Sequence, residues 1–316
     1  MKIYDTNYLR SVKMGLGTWA IGGGQSWGES NEKESIYTID SALDIGIDYI
    51  DTAPAYGNGL CESILGKALA GKRDKFFLAT KCGLTWNYNN TNKTVHMERD
   101  GRVVRRDLES IPRQLEESLI RLKTDHVDML LTHWPDPQVR VEETVEVLEN
   151  LKREGKIRFY GACNTTTDII DSYGQGLSMI QEKYSMLSRE NNSLLEKSKK
   201  KGIVFQAYSA MERGLLSGKI SEGTKIEGLA KNSIKYFQMP YRREVISILK
   251  NMQGIAENHR CEVVQIVLAW TIAKCGMVLC GARKPWQILE NAKALSVLLT
   301  EDEICYIDCL CHGLLE

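Results

Sequence analysis

Eight short runs of β-branched, aromatic and small apolar residues, each followed by a longer stretch of helical period, predict an α/β chain whose parallel strands close as a (β/α)₈ TIM barrel. Three observations carry this. Most of the runs are apolar on both faces, as parallel strands covered by helices must be. They alternate with helical segments throughout, and a strand returning parallel to its neighbour needs such a crossover. No linker rich in Ser, Gly or Pro and no low-complexity tract interrupts the 316 residues, so residues 1–316 read as a single domain.

The first run is Lys13–Gly17. The segment Gly15-Leu16-Gly17-Thr18-Trp19-Ala20 imitates a dinucleotide fingerprint, but Gly22-Gly23-Gly24 follows at once and no stable helix would open there. Asn31 with Glu34 then forms a capping-box pattern, Ile36, Ile39 and Leu43 make a stripe, and Gly46 supplies the stop. The runs Asp48–Thr52 and Phe76–Lys81 come next, followed by a long, polar, poorly periodic stretch, Thr85–Arg106, that reads as a loop over a site. A cap at Asp107 would open the stripe Ile111, Leu115, Leu119, Leu122. The run Val127–His133 leads to a helical segment from Val141 to Leu151 that ends at Gly155. Ile157–Asn164, Ser178–Glu182 and Ile203–Tyr208 are the fifth to seventh runs. Arg213–Lys219 imitates a phosphate loop, but its glycines are one residue too close and no Ser or Thr follows the lysine, so ATP chemistry is not supported. A second loop, Gly214–Pro240, precedes the buried-helix pattern Val263–Ala273 and the eighth run, Met277–Ala282.

Composition narrows the function. Lys plus Arg and Asp plus Glu are both 41, so the net charge is zero, which argues against a nucleic-acid or membrane partner and for a small molecule. The start, MKIYDTNYLRS, has no signal-peptide apolar stretch, and no apolar run approaches the ~20 residues of a membrane span. Nine scattered cysteines, an odd number, read as reduced thiols of a cytoplasmic protein. Cys305, Cys309, Cys311 and His312 have zinc-ligand chemistry, yet Cys305 and Cys309 are also at core spacing on a helix, and the reading adopted is that these residues hold no metal.

The informative set lies at the carboxyl ends of the runs, where barrel enzymes place their chemistry. Asp51 ends the second run, Tyr56 follows it, Lys81 ends the third and His133 ends the fourth. Singly, each has a dull explanation as a cap, a cover, a solvated end or a structural histidine. Together, four titratable groups on adjacent strand ends point to a site, and pairing Asp51 with Lys81 would offset the penalty of burying either.

These segments resemble the aldo-keto reductase family along nearly the whole chain. IDYIDTAPAYGNGLCESILGKAL is similar to its aspartate–tyrosine signature, ATKCG to its lysine segment and MLLTHWPDP to its histidine segment. KCGLTW, THWPDP and GKIRFYGACN look most like a bacterial subgroup related to stress-induced and inositol-utilisation reductases. The resemblance implies NADPH-dependent reduction of an aldehyde or ketone, with Asp51, Tyr56, Lys81 and His133 as the catalytic tetrad. Tyr56 would donate the proton, its pKa of about 10 lowered by the Lys81 ammonium; Asp51 would hold Lys81, and a neutral His133 would orient the carbonyl. The same likeness assigns Gly17, Thr18, Trp19, Asp51, Cys163, Asn164, Gln181 and Tyr208 to the nicotinamide side. It assigns Ser209, Met211, Arg213, Leu215, Ser217 and Lys219 to a pyrophosphate loop, and Gly281, Arg283, Gln287, Glu290 and Asn291 to the adenosine end. Arg283 and Lys284 there favour NADPH over NADH. Trp19, Trp86 and Trp134, with Tyr56 and His133, would wall the carbonyl pocket, and core packing is an equal alternative for each tryptophan. The chain departs from the family pattern at Cys163, at Ala210-Met211-Glu212 in place of Pro-Leu-Gly, and at Cys280; Cys82 and Cys163 would lie beside the cofactor, where oxidative inactivation is one reading and small buried thiols the reading preferred. Two other readings are an NADPH-binding redox-sensor subunit with slow turnover and a Schiff-base lyase using Lys81.

Overall fold

The computed structural model describes residues 4–86, 92–99 and 101–315. Residues 1–3 of the N-terminal segment, and residues 87–91 and 100 of the predicted loop, lie outside the described residues.

All eight predicted runs are strands. In chain order they are β1 (Met14–Gly17), β2 (Tyr49–Asp51), β3 (Phe77–Cys82), β7 (Val127–Thr132), β8 (Ile157–Cys163), β9 (Leu177–Lys183), β10 (Val204–Tyr208) and β11 (Gly276–Gly281), with β4 (Leu84–Thr85), β5 (Val95–Arg99) and β6 (Arg102–Arg106) outside the barrel. The eight close parallel in the order β1-β11-β10-β9-β8-β7-β3-β2. Register aligns the strand ends that matter: Gly17 faces Asp51 and Gly281, Cys163 faces Gln181, and Gln181 faces Gln206.

The barrel interior is packed shut at its amino end. Tyr49 stacks on Phe77 with ring centres 5.0 Å apart, and Tyr8, from the short helix Thr6–Ser11, stacks on Phe77 from below at 5.2 Å. Tyr4 and Tyr8 both donate to the buried Asp48 carboxylate, which fixes this plug. A second, larger core lies between strands and helices. Stripes such as Ile111, Leu115, Leu119 and Leu122 supply it, and the helix Val263–Cys275 is buried on nearly every side, as its uniformly apolar sequence requires.

The helix signals hold with one exception. Asn31 Oδ1 accepts the Glu34 amide at 3.0 Å at the start of the helix Glu32–Asp44, and Gly46 leaves it at φ +84°. Asp107, however, does not cap Ile111–Leu122: Ser110 is the N-cap, because Pro112 in the first turn sets the helix start beyond Asp107. Asp107 instead accepts from Ser110 Oγ at 2.6 Å and pairs with Lys93. The other correction is larger. Thr85–Arg106 is not merely loop, since β4, β5 and β6 form a three-stranded antiparallel sheet in the order β4-β6-β5. Its strands are short and carry Arg and Glu on an open face, which erased the apolar period by which strands are read.

Candidate active site

Three strand ends and one loop bring the predicted tetrad residues together. Lys81, in β3, is fully buried and its ammonium donates to Asp51 Oδ1 at 2.6 Å, to the Thr52 carbonyl at 3.0 Å and to Tyr56 Oη at 3.1 Å. Tyr56 meets the ring of His133 edge to face, with centres 5.9 Å apart. The local sequence explains why Tyr56 stays in place. Gly57, Asn58 and Gly59 all have positive φ, turning the chain sharply after the tyrosine. A Cβ on Gly57 would also lie 2.6 Å from the Gly22 carbonyl, so the loops after β1 and β2 touch backbone to backbone. Asp51 is anchored from the other side by Thr18, whose amide and hydroxyl both donate to the Asp51 carbonyl.

The electrostatics differ from the sequence expectation in one respect. Burial raises the Tyr56 pKa above its ordinary value; the Lys81 ammonium pulls it back down only in part, and Asp51 raises it further. The expected net lowering is therefore not found, because the dehydration of a phenolate exceeds the attraction of one ammonium. Burial likewise depresses Lys81, but Asp51 and Tyr56 more than offset it and the net direction is upward. Lysine and tyrosine are thus both held protonated.

A polar network extends from Asp51 across the barrel. Gln181 Nε2 donates to Asp51 Oδ2 at 2.8 Å and to Gln206 Oε1 at 2.5 Å, while the Cys163 thiol donates to Gln181 Oε1. Asn164 donates to the His133 carbonyl and accepts from Tyr208 Oη at 2.7 Å. Gln206 was absent from the sequence reading; the available signal was an amide at a fully apolar strand position, in register with Gln181. Glu182, beside it, accepts the Thr165 amide at 2.6 Å, and burial pushes its carboxyl up to about 8.

The chain segments expected to hold a dinucleotide fit one by their chemistry. Ser209, Glu212 and Arg213 are non-glycine residues at φ +58°, +43° and +55°, and Gly214 and Gly218 follow in the same region. Backbone of mixed hand like this has the geometry from which anion cradles are built. Glu212 occupies the left-handed position of the usual glycine, and its buried carboxylate ties the loop to the barrel through Ser185 and Ser188 at 2.6 and 2.9 Å. Leu215 is buried and Met211 packs on the core, so both would offer backbone rather than side chain; Ser217 Oγ turns back to the Gly214 carbonyl. Arg213 is engaged elsewhere, donating to the Ala230 carbonyl and to Ser233 Oγ with its guanidinium over the Trp19 ring. Lys219 lies over Trp286, 4.3 Å from the ring centre. At the far end Gln287 accepts the amides of Arg283 and Lys284, Asn291 donates to Cys280 Sγ, and Glu290 pairs with Lys293. Arg283 itself reaches the carbonyls of Trp27 and Glu29.

The predicted wall is partly assembled. Trp86 and Trp134 pack with Met97 on a small cluster of Ala55, Leu84 and Val104, next to Tyr56 in sequence and under the β4–β6 sheet. Trp19 stands 6.4 Å from Tyr56 between ring centres. The cysteines bear out one expectation, the buried thiols, and correct another. Cys82 and Cys163 are buried and burial pushes both thiols up, so neither presents the thiolate that peroxide attacks. Cys305 and Cys309 are exposed rather than core, because that face of the helix Glu301–Leu315 is turned outward. Among the described residues no three His, Cys, Asp or Glu side chains gather as a metal site, and no helix is long and apolar enough to cross a membrane.

Comparison with known proteins follows the same lines. A model described as the Aldo/keto reductase family matches residues 13–311. The chain is 39% identical to the aldo-keto reductase YhdN of Bacillus subtilis, over 90% of this chain and 85% of that one. It is also 39% identical to an NADH-specific methylglyoxal reductase of Escherichia coli, over 94% and 93%. Among solved structures, a glycerol dehydrogenase from Gluconobacter oxydans superposes with a TM-score of 0.85 at 33% identity, over 95% and 91% of the two chains.

Proposed function

This chain belongs to the aldo/keto reductase family, an oxidoreductase on a (β/α)₈ barrel, and we propose that it reduces a small aldehyde or ketone to the alcohol with Tyr56 as proton donor. The observation that carries this reading is the contact of Lys81 Nζ with Tyr56 Oη at 3.1 Å while Asp51 holds the same ammonium at 2.6 Å. A dihydronicotinamide held there would supply the hydride for the carbonyl carbon. Tyr56 gives its proton to the carbonyl oxygen as negative charge develops there, and the phenolate left behind is stabilised by the Lys81 ammonium, which Asp51 keeps charged and aimed. His133, across from the Tyr56 ring, is placed to orient the carbonyl. Asn164 and Gln181 would hold the nicotinamide carboxamide and Tyr208 would stack on its ring, from positions that the network around Asp51 and His133 fixes.

For the cofactor, Arg283 and Lys284 support NADPH as the preferred donor, since a 2′-phosphate needs cations and a ribose diol does not. Lys284 is exposed and only loosely held, 3.9 Å from Glu34. A relative named NADH-specific is 39% identical to this chain, so the preference rests on these two side chains rather than on family membership. The two 39% relatives are bacterial, which supports the narrower bacterial resemblance. The Schiff-base alternative loses support from Lys81, because a lysine held charged lacks the free electron pair that attacks a carbonyl. The test titrates NADPH and NADH by fluorescence and then follows dihydronicotinamide absorbance across aldehydes, ketones and sugars. Turnover that Tyr56→Phe abolishes supports the reading; binding without turnover of any carbonyl favours a sensor subunit.

A further inference from the structure

We propose that Arg283 is a latch joining the adenosine end of the dinucleotide site to the wall of the carbonyl pocket, and that a 2′-phosphate competes with the backbone of residues 27–29 for its guanidinium. The proposal rests on the reading that this chain binds a nicotinamide dinucleotide with its adenosine ribose at Arg283 and Lys284.

Arg283 Nη1 donates to the Trp27 carbonyl at 2.6 Å and Nη2 to the Glu29 carbonyl, so one side chain from the loop after β11 spans a segment more than 250 residues away in sequence. That segment is a strap that follows β1 and packs on the turn Trp19–Gly22 and on the helix Leu229–Asn232. Its base is tied where Ser30 Oγ donates to the Ile21 carbonyl at 2.5 Å, and its bend needs Gly23 and Gly28, both at positive φ. Gly23 is also so close to the Gly28 carbonyl that a Cβ would lie 2.7 Å from it. The strap carries Trp27, whose ring meets Trp19 edge-on at 5.2 Å; Trp19 in turn stands beside Tyr56. Arg283 is thus two ring contacts from the proton donor.

A second observation marks the closed strap as improvable. The indole Nε1 of Trp27 is buried and, among the described residues, finds no hydrogen-bond partner. An orphaned buried donor is destabilising, and a change of strap position or a bound oxygen atom relieves it.

The competition follows from the chemistry of the fork. A guanidinium on two neutral carbonyls makes one bond to each dipole, whereas a phosphate dianion meets the same fork bidentately and adds the attraction of opposite charges. NADPH would therefore draw Arg283 off the strap, and NADH, with an uncharged ribose diol, would leave it latched. Trp27 then moves with one cofactor and not the other, so affinity for the carbonyl depends on which cofactor is bound. Lys284, paired outward with Glu34, holds phosphate without holding the strap.

The test is amide hydrogen exchange over residues 24–30 of the full chain, with no dinucleotide, with NADH and with NADPH, and no carbonyl present. Occupancy is first checked by tryptophan fluorescence. The expected result is protection retained with NADH and exchange about tenfold faster with NADPH. Arg283→Met should exchange fast in all three states and remove the difference in carbonyl KM between the two cofactors. Arg283→Lys, which keeps the charge but cannot bridge two carbonyls, should loosen the strap while retaining NADPH binding. Lys284→Met should weaken NADPH binding and leave the strap protected with NADH. Equal protection by both bound cofactors, or unchanged exchange in Arg283→Met, overturns the latch. Failure of NADPH alone to bind overturns the competition; failure of both dinucleotides to bind overturns it together with the reading beneath it, and the fluorescence titration tells the two apart.

Discussion

Lys81 Nζ stands 2.6 Å from Asp51 Oδ1, and neither side chain exposes more than 1% of its surface. A buried pair of this kind adds little net stability, but breaking it strands a charge. Lys81→Met should cost about 3–5 kcal/mol in urea unfolding. Adding Asp51→Asn should recover much of that loss, because the orphaned carboxylate is gone and the amide still accepts from Gln181. Carbonyl reduction should recover in neither protein. A double variant as unstable as the single one would show that the pair is not the electrostatic unit described.

Tyr56→Phe keeps the ring and its contacts with Trp19 and His133 while removing only the hydroxyl. Loss of a general acid lowers the rate by roughly 10²- to 10⁴-fold. The fall should appear in kcat with dinucleotide affinity nearly unchanged, measured by steady-state kinetics beside a fluorescence titration. Equal turnover in the two proteins would remove Tyr56 as proton donor.

The barrel was readable because its strands are apolar on both faces and each is followed by a helix, a pattern strong enough to place all eight within a few residues. Asp51, Lys81 and His133 were readable for the converse reason, as polar ends of apolar runs. The β5–β6 hairpin was not, since Arg99, Arg102, Arg105 and Arg106 break the period. Nor were the partners of Arg283, which lie across the whole chain, or the left-handed backbone at Glu212, where the residue type argues against the conformation it adopts. The net pKa of Tyr56 depends on total burial, which local sequence does not carry.

The exposed and the buried thiols should separate into two kinetic classes. Cys305 and Cys309 are exposed on the last helix, whereas Cys61, Cys82, Cys163 and Cys280 are buried, with Cys61 and Cys280 each pushed up to about 12 by burial. A disulfide-exchange reagent attacks through the thiolate, so the two exposed cysteines should react first and the buried ones only on unfolding. Mild peroxide should leave reductase activity intact. Activity loss that persists in a Cys305→Ser/Cys309→Ser protein would mean that Cys82 or Cys163 is reached in the native state.

Glu182 gives stability a pH dependence of unusual sign. Most carboxylates are more acidic in a folded protein; this one is pushed up to about 8 by burial, with the Thr165 amide offsetting only part of that. Its native form therefore binds a proton that the unfolded chain releases from about 4.5 upward. The favourable contribution is complete below that value and is lost as pH rises toward 8, by up to about 4 kcal/mol. Glu182→Gln keeps an oxygen for the Thr165 amide and cannot ionise, so it should be free of this loss. Urea unfolding of both proteins at pH 5 and pH 8 isolates the effect, because every other titrating group is common to the two. The variant should gain on its parent as pH rises, and parallel slopes would show that Glu182 is already ionised and solvated at neutrality.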